Sequence, residues 1–324
     1  MTNREILRIA MEQSAVDLGA EARDFEKSEN VVVLSRENAG ARKYLRLPFS
    51  CQLVSYGNNV VASVSPEFSE ITQNYINKYS VEHLFETPNL HVLNDQLLKK
   101  GQKICFMAEY FLPDVEALLQ TEKEKALMGI DMESVSPLRH ATRATSPEGR
   151  GLEFISLPLG GSSHEVGERG VAFFQNAERT KCYEMRILTQ SDFGELYLPA
   201  WSNALCEQRK ELDVLGVGAY DGDTLIGLAA CSADCDTMWQ IGIDVLPPYR
   251  RQGIATTLTR KLAVEILKRG KVPFYCAAWS NLKSVRNAIK SGFRPAWVEM
   301  TAKPCETVDG MNGVAVSSNQ LQSR

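Results

Sequence analysis

The stretch Tyr249-Arg250-Arg251-Gln252-Gly253-Ile254-Ala255 constrains this chain more than any other. It follows an apolar run, Ile241 to Val245, and opens a run with helical spacing from Ile254 to Arg269. Strand, glycine turn and helix N-terminus in that order form an anion cradle. The first turn of a helix presents backbone N–H groups without intrahelical partners, and the helix dipole is positive there. A phosphate suits that position. Gly253 has no Cβ, so the backbone can approach a ligand closely. Arg250 and Arg251 add charge for a polyanion. The spacing Arg-x-x-Gly-x-Ala is neither a dinucleotide fingerprint nor a P-loop.

Downstream, Phe274 to Trp279 reads as a strand, and Asn281 starts a helix that closes at Gly292-Phe293. The two motifs in this order resemble the GNAT acetyltransferases, over about Tyr183 to Lys303. The hexad is similar to that family's acetyl-CoA signature, Gln/Arg-x-x-Gly-x-Gly/Ala. The family's second motif is likewise a strand, an Asn, a small residue three positions on (here Ser284) and a helix closing on Gly-Phe. The fold this implies is α/β (α+β): a mixed, partly antiparallel sheet flanked by helices, preceded by a smaller α/β domain.

The resemblance implies acetyl-CoA as co-substrate and an amine as acceptor. Gly253, Ile254 and Ala255 would take the pyrophosphate on backbone N–H groups, beside Gln252 and Arg251, with Arg250 either joining them or bracing the turn. The main chain of Ile243 to Val245 would pair with the pantetheine arm as an added strand, and an N–H there would polarise the thioester carbonyl. Asn281 would bond a pantetheine amide, with Ser284 one turn on. Both also have plain structural uses, as helix cap and as surface residue.

The attacking amine must first lose a proton, since an alkyl ammonium titrates near pH ~10. A carboxylate working through water could serve as base. Asp244 lies in the right strand, and Gln240, Asp236 and Glu207 are alternatives. Many family members carry a Tyr seven residues after the motif Asn to protonate the leaving thiolate; here that position is Ala288. Cys276 and Tyr275 are the nearby substitutes, with core packing as the competing use. Trp201, Asn203, Leu205 and Trp239 could line the acceptor cleft. A CoA-binding module without turnover is the alternative function.

The 324 residues suffice for two cores. We expect an N-terminal α/β domain over 1–120, either a separate small domain or a degenerate acetyltransferase-like half, a linker or insertion over 121–180, the acetyltransferase domain over 181–303 and a disordered tail over 304–324. A helix closed by Gly101 before the Ile104 strand echoes the helix closed by Gly292 before the Pro295 strand. Within the second domain, Ser191 to Gln208 reads as a helix over the acceptor cleft.

A net charge of −4 argues against a nucleic-acid partner. No apolar run reaches transmembrane length, so no membrane partner is expected. Met1 to Gln13 is charged and lacks a signal-peptide core. The eight cysteines then read as reduced thiols in a cytoplasmic protein. Cys231 and Cys235 form the one close pair and lack neighbouring ligands, so no metal is expected. A homodimer is left open.

Overall fold

The computed structural model describes residues 1–119 and 183–313, which belong to one compact unit. The segment expected as a linker or insertion, 121–180, lies outside the described residues, as does the end of the tail from 314.

Helix α1 (Asn3–Leu18) begins at a capping box, in which Thr2 and Glu5 exchange side-chain and backbone hydrogen bonds, and stops at Gly19 with φ 73°. Strands β1 (Val31–Leu34), β2 (Cys51–Ser55) and β3 (Val61–Val64) follow. Next come α2 (Ser69–Ile76), α3 (Val81–Leu84), α4 (Thr87–Leu98), β4 (Gln102–Pro113) and α5 (Val115–Leu118). The second described stretch holds β5 (Glu184–Thr189), β6 (Asp213–Asp221), β7 (Thr224–Ser232) and β8 (Met238–Val245). It continues with α6 (Ile254–Lys268), β9 (Val272–Ala277), α7 (Leu282–Lys290), β10 (Phe293–Pro304) and α8 (Cys305–Met311).

All ten strands join one mixed sheet in the order β1-β3-β2-β10-β4-β9-β8-β7-β6-β5. Only β1–β3 and β8–β9 pair parallel; the remaining pairs are antiparallel. β4 and β10 pair along their whole lengths, from Phe293 opposite Pro113 to Pro304 opposite Gln102. Since β10 lies between β2 and β4, the stretches expected as separate domains share strands across the middle of one sheet. The two helix–glycine–strand units noted in the sequence supply this central pair: Gly101 has φ 72° and Gly292 has φ 94°.

Faces alternate along β7 as sheet geometry requires. A Cβ on Gly227 would touch Ile254 and Leu258 of α6, and Ala229 and Cys231 join that same core. Leu228 and Ala230 pack instead with Phe193, Trp201, Ala204 and Leu205.

Two expectations fail here. Residues 191–208 form no α-helix; the segment has short 3-10 turns at Gln190–Asp192, Pro199–Trp201 and Glu207–Leu212. Gly194 and Pro199 break helical continuity, and the backbone N–H groups of Asn203 and Ala204 bond to the Asp244 carboxylate rather than to a helix. The tail is ordered further than expected, because α8 continues directly from β10 and Lys103 of β4 pairs with its Asp309 at 2.5 Å. No helix among the described residues is long and apolar enough to cross a membrane.

Candidate active site

β8 and β9 run together only at their start. Met238, Trp239 and Gln240 pair with Val272, Pro273 and Phe274. Beyond them β9 turns to β4, where Tyr275, Cys276 and Ala277 pair with Phe111, Tyr110 and Glu109. β8 keeps β7 on its other side as far as Val245 opposite Gly227. The main chain from Ile241 to Val245 therefore has one hydrogen-bonding edge with no strand on it. An extended ligand can use such an edge as a peptide uses an exposed strand.

β8 leads into a turn at Pro247–Tyr249 and then the glycine loop. Arg251 has φ 66°, making it the one non-glycine residue with positive φ among the described residues, and Gly253 follows with φ 81°. Positive-φ residues in a tight turn gather successive N–H groups into a concavity, as in anion-binding nests. Gly253 caps α6, and the first helix N–H with an intrahelical acceptor is that of Thr257, to Gly253 O at 3.1 Å. Ile254, Ala255 and Thr256 thus present N–H groups without helical partners. A Cβ built on Gly253 would meet nothing within 4 Å, so the cradle opens onto free space.

Arg250 braces the turn: its Nε donates to Val245 O at 2.9 Å. Gln252 accepts from Tyr183 Oη at 2.8 Å on its Oε1, which ties the loop to the residue preceding β5.

The parted strands open a cavity of about 1480 Å³. Ile243, Asp244, Val245, Arg250, Arg251, Ala255, Asn281 and Ser284 all line it, together with Gln240 and Cys276. Of the sequence-predicted residues, Gln252, Gly253 and Ile254 belong to the adjoining loop and helix start rather than the lining. Asn203 and Leu205 line the cavity, whereas Trp201 is buried in the core and Trp239 packs against the main core instead of lining it.

Asp244 lines the cavity and is already engaged by the 203–204 segment. Its Oδ2 accepts from the backbone N–H of Asn203 at 2.8 Å and of Ala204 at 3.0 Å, and its Oδ1 accepts from Asn203 Nδ2 at 2.7 Å. Gly242 makes this possible, because a Cβ there would overlap the carbonyl of Asn203. Asp244 therefore clamps the 203–204 segment onto the sheet.

Gln240 Nε2 lies 3.1 Å from Cys276 Sγ. Burial, reinforced by the Glu299 carboxylate, pushes the Cys276 thiol up to about 12. A thiol that weak in acidity is a poor donor to a leaving thiolate, whose own conjugate acid titrates near ~8.5. Tyr275 Oη shares a 2.6 Å hydrogen bond with Ser284 Oγ, and burial raises its phenol too. Ala288 is fully buried against the sheet, so this helix carries no acid at that position.

Asn281 caps α7, with its Oδ1 accepting from Ser284 N at 3.2 Å. That bond uses the oxygen and leaves the Nδ2 as a donor.

Several cavity-lining residues were not anticipated, charged ones among them. Lys283 and Arg286 on α7 line the cavity with Arg250 and Arg251 and form no ion pair among the described residues. Their spacing of three along a short helix was the available signal. Asp213 lines the opposite end, and nothing in its sequence context marks it.

A family-model comparison matches residues 171–296 to the family described as GNAT acetyltransferase. The C-terminal domain is a GNAT domain. No curated protein matches the chain. Among solved structures, a GCN5-related N-acetyltransferase-like protein from Streptococcus suis is 15% identical, over 66% of this chain and 69% of that one, with TM-score 0.37. An acetyltransferase of the GNAT family from Colwellia psychrerythraea is 18% identical, over 37% and 50%, with TM-score 0.31. The Salmonella typhimurium protein yncA, solved with its cofactor acetyl-CoA, is 17% identical, over 38% and 94%, with TM-score 0.28. The chain spans about half the length of the Colwellia protein, and the match with a Novosphingobium aromaticivorans structure covers 55% of that chain. The GNAT domain is where the parted strands and the glycine cradle occur.

Proposed function

We propose that this protein is an acetyl-CoA-dependent N-acetyltransferase acting on an amine by direct attack in a ternary complex. One observation carries the reading: an unpaired strand edge, Ile241 to Val245, leads through the Pro247–Tyr249 turn into a loop whose positive-φ residues open α6 toward free space. A pantetheine arm needs the first and a pyrophosphate needs the second. Gly253, Ile254 and Ala255 would hold the diphosphate, and Arg251, Lys283 and Arg286 would offset its charge. Asn281 would donate to the arm.

Acetyl-CoA supplies the activated acyl group. The ammonium first gives one proton to a base. The neutral amine nitrogen then forms a bond to the thioester carbonyl carbon, and the C–S bond breaks with its electron pair on sulfur. The second proton shed by nitrogen ends on that sulfur, so the products are an amide, a thiol and the one proton lost at the start. Asp244 positions the acceptor-side segment in this scheme. The free thiol forms without a tyrosine at position 288, because a thiolate is a tolerable leaving group near neutral pH.

A second reading, binding of CoA without turnover, is favoured by Ala288 and by the weak acidity of Cys276. Thiol release from acetyl-CoA with a panel of amines separates the two. Amine-dependent release supports the enzyme; tight binding with no release supports the binding module.

A further inference from the structure

The cavity is electrically lopsided. Its glycine-loop end is lined by Arg250, Arg251, Lys283 and Arg286, while its far end is lined by Asp213 and by Arg209, whose guanidinium is engaged by the buried Asp234. Asp213 is only 1% exposed. Its Oδ2 accepts from Cys206 N at 2.8 Å and from Tyr197 Oη at 3.3 Å. The nearest cation, Arg209, is bound to the buried Asp234. Two buried carboxylates thus share one guanidinium, and a buried carboxylate without a full counter-charge is costly unless a cation arrives.

Strand register places Asp213 relative to the opening. Asp213 is opposite Ser232, and Ser232 is opposite Gln240, where β8 and β9 begin to part. Residues directly opposite in a sheet face the same side. Asp213, Ser232 and Gln240 therefore form a polar row across the cavity floor, and all three line it. Ser232 Oγ is sealed from solvent and lies beside the Asp234 carboxylate. Two strand spacings separate the ends of the row by roughly 10 Å.

We propose that Asp213 is the receptor for a cationic group of the acceptor, and that the acceptor carries this group roughly 10 Å from the nitrogen that attacks, as a diamine or oligoamine does. This rests on the acetyltransferase reading, since the row ends where the thioester would lie. Positive charge at one end suits a nucleotide, and negative charge at the other suits the amine.

Burial holds the Asp213 carboxyl up at about 6, so it is charged above that pH and neutral below it. The titratable and charged groups around it are Tyr197, Cys206, Arg209, Lys210 and Glu211 on the preceding segment, with Asp234 and Cys231 from β7 and the loop after it. Of these, Asp234 is also raised by burial but is held to Arg209.

The test is calorimetric binding of 1,7-diaminoheptane, longer diamines and matched monoamines to the full-length protein, with and without acetyl-CoA. The wild type should prefer a diamine over the monoamine of equal length by at least about tenfold. That preference should fade as the pH falls through about 6. Asp213→Asn keeps an oxygen for Cys206 N and Tyr197 Oη, and should bind acetyl-CoA as the wild type does while losing the diamine preference. A wild type with no preference, or one independent of pH, overturns the proposal whether or not the variant folds. Equal diamine affinity in Asp213→Asn also overturns it. Failure to bind acetyl-CoA is a separate outcome, which removes the acetyltransferase reading on which the proposal stands.

Discussion

Either side of the β4–β10 pair, the same kinds of element end differently. On the N-terminal side, β2 and β3 pair over four residues, from Cys51 opposite Val64 to Val54 opposite Val61, and every residue in both strands is buried. On the C-terminal side, the strand next to β4 leaves its neighbour after three residues and a cavity fills the gap. Both sides then run strand, proline-led 3-10 turn and helix. After β3, Pro66–Phe68 passes directly into α2, with Glu67 in the turn. After β8, Pro247–Tyr249 is followed by Arg250 to Gly253 before α6 begins. The inserted loop supplies two positive-φ residues and two arginines. A closed core and an open cleft thus differ by a strand that turns away and by one short loop.

Breaking the loop should have the largest effect. Gly253→Val forces a β-branched residue to φ 81° and puts a side chain into the open cradle. We expect acetyl-CoA affinity to fall at least about 100-fold by calorimetry, with a strain cost of about 1–2 kcal/mol. Glu67→Arg, the charge change at the corresponding turn of the closed side, should leave that affinity unchanged.

Gly242→Ala comes next. Its Cβ would overlap the Asn203 carbonyl, so the acceptor wall must lift. A destabilisation of about 1–3 kcal/mol in denaturant melts should accompany loss of turnover. Gly57 on the closed side, where a Cβ would meet nothing within 4 Å, should show only the strain of its φ of 103° when replaced by Ala.

The strand pattern and the cradle could be read from residues because both depend on local rules. Alternation and turn residues place β7 and β8 at the bounds observed, and Gly253 marks a backbone that only glycine adopts easily. The segment from Ser191 to Gln208 could not be read this way. Its conformation depends on Asp244, some forty positions on, which takes the amide protons a helix would have used. The same bonds explain why Asp244 stood out as a base: a carboxylate in the right strand looks alike whether it abstracts protons or holds backbone. Asp213 and the α7 cations escaped notice because only the sheet register and the cavity bring them together. The shared central sheet was likewise hidden, since β4 and β10 are far apart in sequence.

Asp244→Asn sharpens this point. As a clamp, its loss should cost about 1–2 kcal/mol of stability while leaving the pH profile of turnover unchanged. A fall in kcat of about 100-fold or more with stability intact would make Asp244 the base.

Asp213→Asn should be more stable than the wild type at pH 7.5. The folded-state carboxyl is raised to about 6 from an ordinary value of 3.8, so the wild type carries the cost of a buried charge above that range and sheds it on acidification. The difference in melting temperature should shrink as the pH falls through 6 toward 4. The smallest effects belong to the cofactor rim. Lys283→Ala and Arg286→Ala should each weaken acetyl-CoA binding a few-fold at low ionic strength, and less at high salt.

The central claim is that the gap between β8 and β9, with the loop at Gly253, holds acetyl-CoA. A crystal structure of the complex tests it directly. The account predicts the pantetheine arm along Ile241 to Val245 and the diphosphate within hydrogen-bonding distance of the amides of Gly253, Ile254 and Ala255. Coenzyme bound elsewhere on the molecule, with that gap and loop empty, would contradict it.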